Sequence, residues 1–98
     1  MNLTQMMYAL AVARHRNISK AAASLFISQP ALSLQMKKLE EELGVPLFQR
    51  EPQGVRLTAQ GELFYQNAQA VEQAWYQLLN VMEQNRRQVR KHLRIGIG

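Results

Sequence analysis

Ser28-Gln-Pro-Ala-Leu-Ser-Leu-Gln-Met-Lys-Lys-Leu-Glu-Glu-Glu-Leu43 is the stretch that decides how the rest of the chain is read. Leu32, Met36, Leu39 and Leu43 follow one another at spacings of four, three and four, which places them on one stripe of a helix. Ser33, Leu34, Lys37 and Lys38 fall off that stripe and face outward. Ser28 stands where a side-chain oxygen caps the first turn. Pro30 sits in that turn, where a missing N–H costs nothing. Gly44 ends the helix and Pro46 prevents it from resuming. The free N-terminal end thus carries small or uncharged side chains (Gln29, Ala31, Ser33), with lysines one turn behind. Two readings fit: a helix whose first turns enter the groove of a nucleic-acid duplex, or an ordinary amphipathic helix with a solvated basic face.

Composition narrows the field. Ninety-eight residues make one small domain, or one with an appendage, and 47 % apolar content supplies a modest core. A net charge of +5 and a pI near 10.1 favour a polyanionic partner. No cysteine is present, so a disulfide framework and a thiolate metal site are excluded. The seven acids are all Glu. His15 and His92 stand far apart in unlike contexts, and no Ser/His/Asp set, metal spacing or Gly-rich phosphate loop occurs. Glu40-Glu41-Glu42 reads as a solvated helix end, not as paired catalytic carboxylates. The expectation is no enzyme, no catalytic residue, no metal and no cofactor in this chain. No secretory core and no apolar run near about 18 residues occurs, so a cytoplasmic location without membrane contact is expected.

Upstream, Asn2 and Gln5 form a capping-box-like pair before a stripe of Leu3, Met6, Met7, Leu10 and Ala11 that runs out near Arg16. Asn17 supplies turn chemistry, and Ser19 is expected to cap a short helix, Lys20–Leu25, whose alanines permit close packing. Phe26 and Ile27 make an apolar connection into Ser28. A short Ala-rich helix, a tight turn and a second helix with an exposed polar end follow helix-turn-helix order.

Downstream, Val45–Arg50 and Val55–Thr58 are β-prone and separated by Glu51-Pro-Gln-Gly54, which predicts a hairpin wing. Leu47, Phe48 and Leu57 are expected to cover the core, with Arg50 and Arg56 projecting outward. Thr58 is placed to cap a long helix from Ala59 to about Lys91. Phe64, Ala68, Val71, Trp75, Leu78 and Met82 repeat at four, three, four, three and four, the seam of a coiled coil. At about 1.5 Å per residue this helix outruns a three-helix core, so a partner helix is expected on the seam. Arg86-Arg-Gln-Val-Arg-Lys91 reads as a solvated basic helix end. Leu93-Arg-Ile-Gly-Ile-Gly98 alternates like a strand.

These pieces together resemble the N-terminal part of a LysR-type transcriptional regulator. The resemblance rests on Ala21-Ala22 with Leu25, Ser28-Gln-Pro-Ala-Leu-Ser33, Leu39-Glu-Glu-Glu-Leu-Gly-Val-Pro-Leu-Phe48, Arg50, and Val55-Arg-Leu-Thr58 with Gly61. It runs from about Asn2 to Gly61, and the linker helix and Leu93-Arg-Ile-Gly96 fit as well. It implies a winged helix-turn-helix on a dimerising linker, followed by a ligand-binding domain of periplasmic-binding-protein type. It also implies a tetrameric bacterial regulator answering a small-molecule effector held by that further domain. By resemblance, Gln29, Pro30, Ala31 and Ser33 meet the major groove, and Arg50 and the wing lie near the phosphate backbone or minor groove. One position departs: the family commonly carries a longer polar residue, often Arg, where this chain has Leu34. Leucine offers a thymine methyl an apolar contact but makes no bidentate bond to guanine.

The resulting expectation is a mainly α chain. Residues 1–58 form a winged helix-turn-helix of three helices plus a two-stranded wing, 59–91 a dimerisation linker helix, and 92–98 the start of an effector-binding domain. The chain is expected to bind double-stranded DNA at an inverted repeat as a homodimer, with a tetramer in the full-length protein. Base reading falls to Gln29, Pro30, Ala31, Ser33 and Leu34. Backbone contact falls to Lys20, Ser28, Lys37, Lys38, Arg50, Arg56 and Thr58, and dimer contact to Phe64, Ala68, Val71, Trp75, Leu78 and Met82. An architectural protein binding DNA without preference needs more basic charge than residues 1–58 hold, with seven Lys/Arg against four Glu. A pure interaction module leaves the Gln-Pro-Ala-Leu-Ser end without a purpose.

Overall fold

Helix-end chemistry sets most of the element boundaries. The computed structural model describes residues 1–97, and side chains as far as Lys91. In chain order come α1 (Leu3–His15), α2 (Ile18–Ser24), α3 (Gln29–Leu43), β1 (Phe48–Glu51), β2 (Gly54–Leu57) and α4 (Ala59–Ile97). The Asn2 side chain accepts from the Gln5 backbone N–H at 2.8 Å, and the Gln5 side chain accepts from that of Asn2 at 3.2 Å, closing the capping box. Asn17, not Ser19, caps α2, accepting from the Lys20 N–H at 2.9 Å, so that helix starts two residues earlier than expected. A cap must stand in extended backbone three residues before the N–H it satisfies, and Asn17 does. Ser28 caps α3 through the Ala31 N–H, and Gly44 ends it in the left-handed region.

α1 is the centre of the domain, packed by α2, α3, α4 and β2. Val12, Ala21, Ala22, Leu32, Met36, Leu39 and Leu47 are buried together. Ala21 and Ala22 have no side-chain bulk to hold α2 away from its neighbours. The α3 stripe is buried at Leu32, Met36 and Leu39, but its last member, Leu43, is 38 % exposed. The core has ended before the helix does.

β1 and β2 pair antiparallel, Phe48 opposite Leu57 and Glu51 opposite Gly54. β1 begins three residues later than the apolar run predicts. The Leu47 and Phe48 N–H groups donate to Glu40 Oε1 at 2.8 and 2.9 Å, so the approach to the strand bonds to a side chain of α3. Glu40 is therefore no solvated helix-end residue. The wing is pinned at its tip as well: the Val55 N–H donates to the Arg16 carbonyl at 2.9 Å. Any Cβ on Gly54 would run into that carbonyl, which makes glycine obligatory there.

Thr58 caps α4, accepting from the Gly61 N–H at 2.9 Å and donating to the Pro46 carbonyl at 2.6 Å. The first turns of α4 lie on α1, with Ala68 buried against Met6 and Leu10 and Phe64 packed beside them. Arg14 then grips Glu72 with two hydrogen bonds, 3.0 and 2.5 Å long. Beyond this clasp the helix leaves the domain, and the molecule is 65 Å long against 25 and 20 Å across. α4 continues to Ile97, so the strand expected from Leu93 onward is corrected over 93–97. A lone strand leaves its N–H and C=O groups unpaired, whereas a helix pairs them internally. Gly98 lies outside the described residues.

Candidate nucleic-acid interface

The first turn of α3 stands clear of the core because Pro30 and the Ser28 cap start the helix one turn before its buried stripe. Gln29, Pro30 and Ala31 are exposed, Ser33 is half-buried, and Leu34 is 51 % exposed. All five expected base readers thus share one accessible surface. α2 and the wing flank it.

Both polar readers are held from the side. Ser19 Oγ donates to Gln29 Oε1 at 2.8 Å, which joins α2 to the tip of α3. Arg50 Nη2 donates to Ser33 Oγ at 2.8 Å, which joins the wing to the same face. A cleft of about 350 Å³ between α3 and β1 is lined by Ser33, Leu34, Lys37 and Arg50. A second, polar one of about 240 Å³ lies among Asn17, Ser19, Gln29, Arg50 and Gly54. Arg50 therefore stands closer to the reading residues than a cation confined to phosphate would.

Lys20, Lys37 and Lys38 are exposed, as is Ser28. Arg56 reaches back across the hairpin, its Nε 3.1 Å from Glu51 Oε1 and its Nη2 donating to Gln49 Oε1 at 3.3 Å. Thr58 leaves the set of expected backbone contacts. Its hydroxyl is engaged in both directions by the α4 cap, beside Pro46 just past the C-terminal end of α3.

The linker seam divides in two. Ala68 is buried on its own chain, so it is corrected as a free dimer contact, while Phe64 is half-buried there. Their turns face α1 because Gly61 lets α4 start tightly against the Leu47 carbonyl. Val71, Trp75, Leu78 and Met82 are exposed by 49, 37, 51 and 57 %. An apolar groove of about 450 Å³, lined by Met6, Leu43, Leu47, Leu63, Phe64 and Val71, continues this stripe onto the domain. The bidentate Arg14 guanidinium holds the Glu72 carboxyl below the usual carboxylate range.

Three residues take roles other than those their sequence context suggested. Ser19 and Glu40 act through contacts made by the fold, ten and seven to eight residues away in sequence. Phe26, read as an apolar connection, is 96 % exposed with φ 58°, in the turn between α2 and α3.

A model of the family described as "Bacterial regulatory helix-turn-helix protein, lysR family" matches residues 3–62. The transcriptional regulator BudR of Klebsiella aerogenes is 54 % identical over 68 residues, covering 69 % of this chain and 48 % of BudR. The chain therefore spans less than half of that relative. Among solved structures, the BenM DNA-binding domain in complex with catB site 1 DNA superposes with a TM-score of 0.82 at 37 % identity, covering 86 % of this chain and 94 % of that one. The CbnR DNA-binding domain in complex with DNA gives 0.77 at 36 % identity, covering 82 % and 92 %. Among the described residues no helix is long and apolar enough to cross a membrane.

Proposed function

The chain belongs to the LysR family of bacterial helix-turn-helix regulators, and from that premise we propose that it is the sequence-specific DNA-binding part of a transcription regulator. The observation that carries the reading is the exposed first turn of α3, with Gln29 and Ser33 presented between α2 and the Arg50 wing. Gln29, Pro30, Ala31, Ser33 and Leu34 meet base edges in the major groove, Leu34 by apolar contact. Ser28, Lys20, Lys37, Lys38 and Arg56 meet phosphate and sugar, and Arg50 stands between the two sets. The similarity to domains described in complex with DNA supports this.

The protein acts as a homodimer through the outer half of α4. Val71, Trp75, Leu78 and Met82 form an apolar stripe too long to leave in water. Two recognition helices related by a two-fold axis then read an inverted repeat. Residues 1–58 are the reading unit and α4 is the linker, which leads into an effector-binding domain of the full-length, tetrameric regulator. The role is binding, not catalysis, in the cytoplasm, and this part needs no metal or cofactor. Selection of bound duplexes from a random pool, followed by sequencing, tests the proposal. An enriched inverted repeat supports it; a pool left random after selection contradicts it.

A further inference from the structure

We infer that Ser19 is a positioning residue that makes the Gln29 side chain a hydrogen-bond donor toward DNA, and so selects a G·C pair at the position Gln29 reads. The inference rests on the proposal that Gln29 meets a base edge. A glutamine amide carries one acceptor oxygen and one NH₂ donor on the same planar group. With both free it matches adenine, accepting from N6 and donating to N7. Here Oε1 takes the Ser19 hydroxyl proton at 2.8 Å, which anchors the oxygen branch toward α2. The Nε2 branch of the same plane is then left to donate elsewhere. What the helix tip offers a base is therefore N–H. Guanine answers with two adjacent acceptors, N7 and O6, whereas adenine presents N7 beside an N6 donor that would meet another donor.

The second reader is biased the same way. Arg50 Nη2 donates to Ser33 Oγ, which occupies one of its oxygen's lone pairs and leaves the Ser33 hydroxyl proton to be donated elsewhere. The guanidinium also places a full positive charge beside the reading face, where an acceptor-only base edge is favoured over a mixed one. Both neighbours thus supply donors to the readers, and the readers present donors outward.

The test repeats the duplex selection with Gln29→Ala, Ser19→Ala and Ser19→Thr beside the unaltered protein. Ser19 is exposed and lies within the first turn of α2, not at its cap, so neither Ser19 variant removes a helix-stop or core contact. Gln29→Ala marks the position that Gln29 reads, as the one where preference flattens. At that position the unaltered protein should enrich G·C over A·T by on the order of tenfold. Ser19→Ala should shift this ratio toward A·T several-fold and leave other positions alone. Ser19→Thr, which keeps the hydroxyl, should restore G·C. A position marked by Gln29→Ala but unchanged by Ser19→Ala overturns the Ser19 inference alone, as does an A·T preference in the unaltered protein. A Gln29→Ala profile identical to the unaltered one at every position overturns the base-reading proposal and this inference with it.

Discussion

Replacing Glu40 with alanine should cost far more than its place in a Glu-Glu-Glu run suggests. Its Oε1 accepts the Leu47 and Phe48 N–H groups at 2.8 and 2.9 Å, and the site is half-buried. A net hydrogen bond to a charged group contributes about 1.5–3 kcal/mol, and an abandoned buried N–H costs about 1–3 kcal/mol. Water reaches a half-buried site in part, so two such bonds together should be worth about 2–4 kcal/mol. That is a large share of the roughly 5–15 kcal/mol that holds a domain together. Glu40→Gln keeps an acceptor oxygen without its charge and should lose only about 1 kcal/mol. Urea unfolding followed by circular dichroism, at one fixed protomer concentration because association adds to apparent stability, gives both differences. Hydrogen exchange at the Leu47 and Phe48 amides should quicken in Glu40→Ala. A Glu40→Ala loss below about 0.5 kcal/mol would refute the reasoning that this carboxylate anchors the root of the wing.

Trp75→Ala should weaken the dimer by about 3 kcal/mol, since it strips the largest side chain from the exposed stripe; sedimentation equilibrium reads the shift, and an unaltered dimer constant would count against the seam. Phe26→Gly should raise stability by roughly 0.5–1 kcal/mol, because φ is 58° and almost nothing is buried; a lower melting temperature would show that the ring is held after all. The Arg14–Glu72 clasp should depend on pH. Because Arg14 depresses the Glu72 carboxyl, its contribution is present above the unfolded carboxylate value near 4.5 and is lost as pH falls through the lower folded one. Arg14→Met should therefore lose part of its stability deficit, relative to the unaltered protein, as unfolding is followed from pH 7 to below 4. A constant deficit across that range would assign the effect to packing.

The elements that local chemistry dictates were legible in the sequence. The α3 stripe, its Ser28 and Gly44 caps, the Asn2–Gln5 box and the Pro-Gly turn of the wing each need only residues a few positions apart. What was not legible depends on contacts between elements. Asn17 and Ser19 are both good caps by composition, and the backbone around Asn17 decides between them. The Glu40 carboxylate looks solvated until the chain turns back at Gly44 and brings two N–H groups to it. Phe64 and Ala68 obey the same repeat as Val71 and Trp75, but a period cannot say where the body of the domain stops covering one face of a helix. At the reading surface the residues were legible and their orientation was not: the hydrogen bonds to Gln29 and Ser33 come from α2 and the wing, which only the fold brings alongside. The alternation after His92 looked like a strand, yet pairing needs a neighbour and the helix needs none.

Titration of the unaltered protein and Gln29→Ala on a selected duplex and on a scrambled one, at several salt concentrations, decides whether the tip of α3 reads sequence. Gln29→Ala should lose on the order of 1–3 kcal/mol on the selected duplex and much less on the scrambled one, with the salt slope nearly unchanged because no phosphate contact is removed. Equal weakening on both duplexes would contradict it.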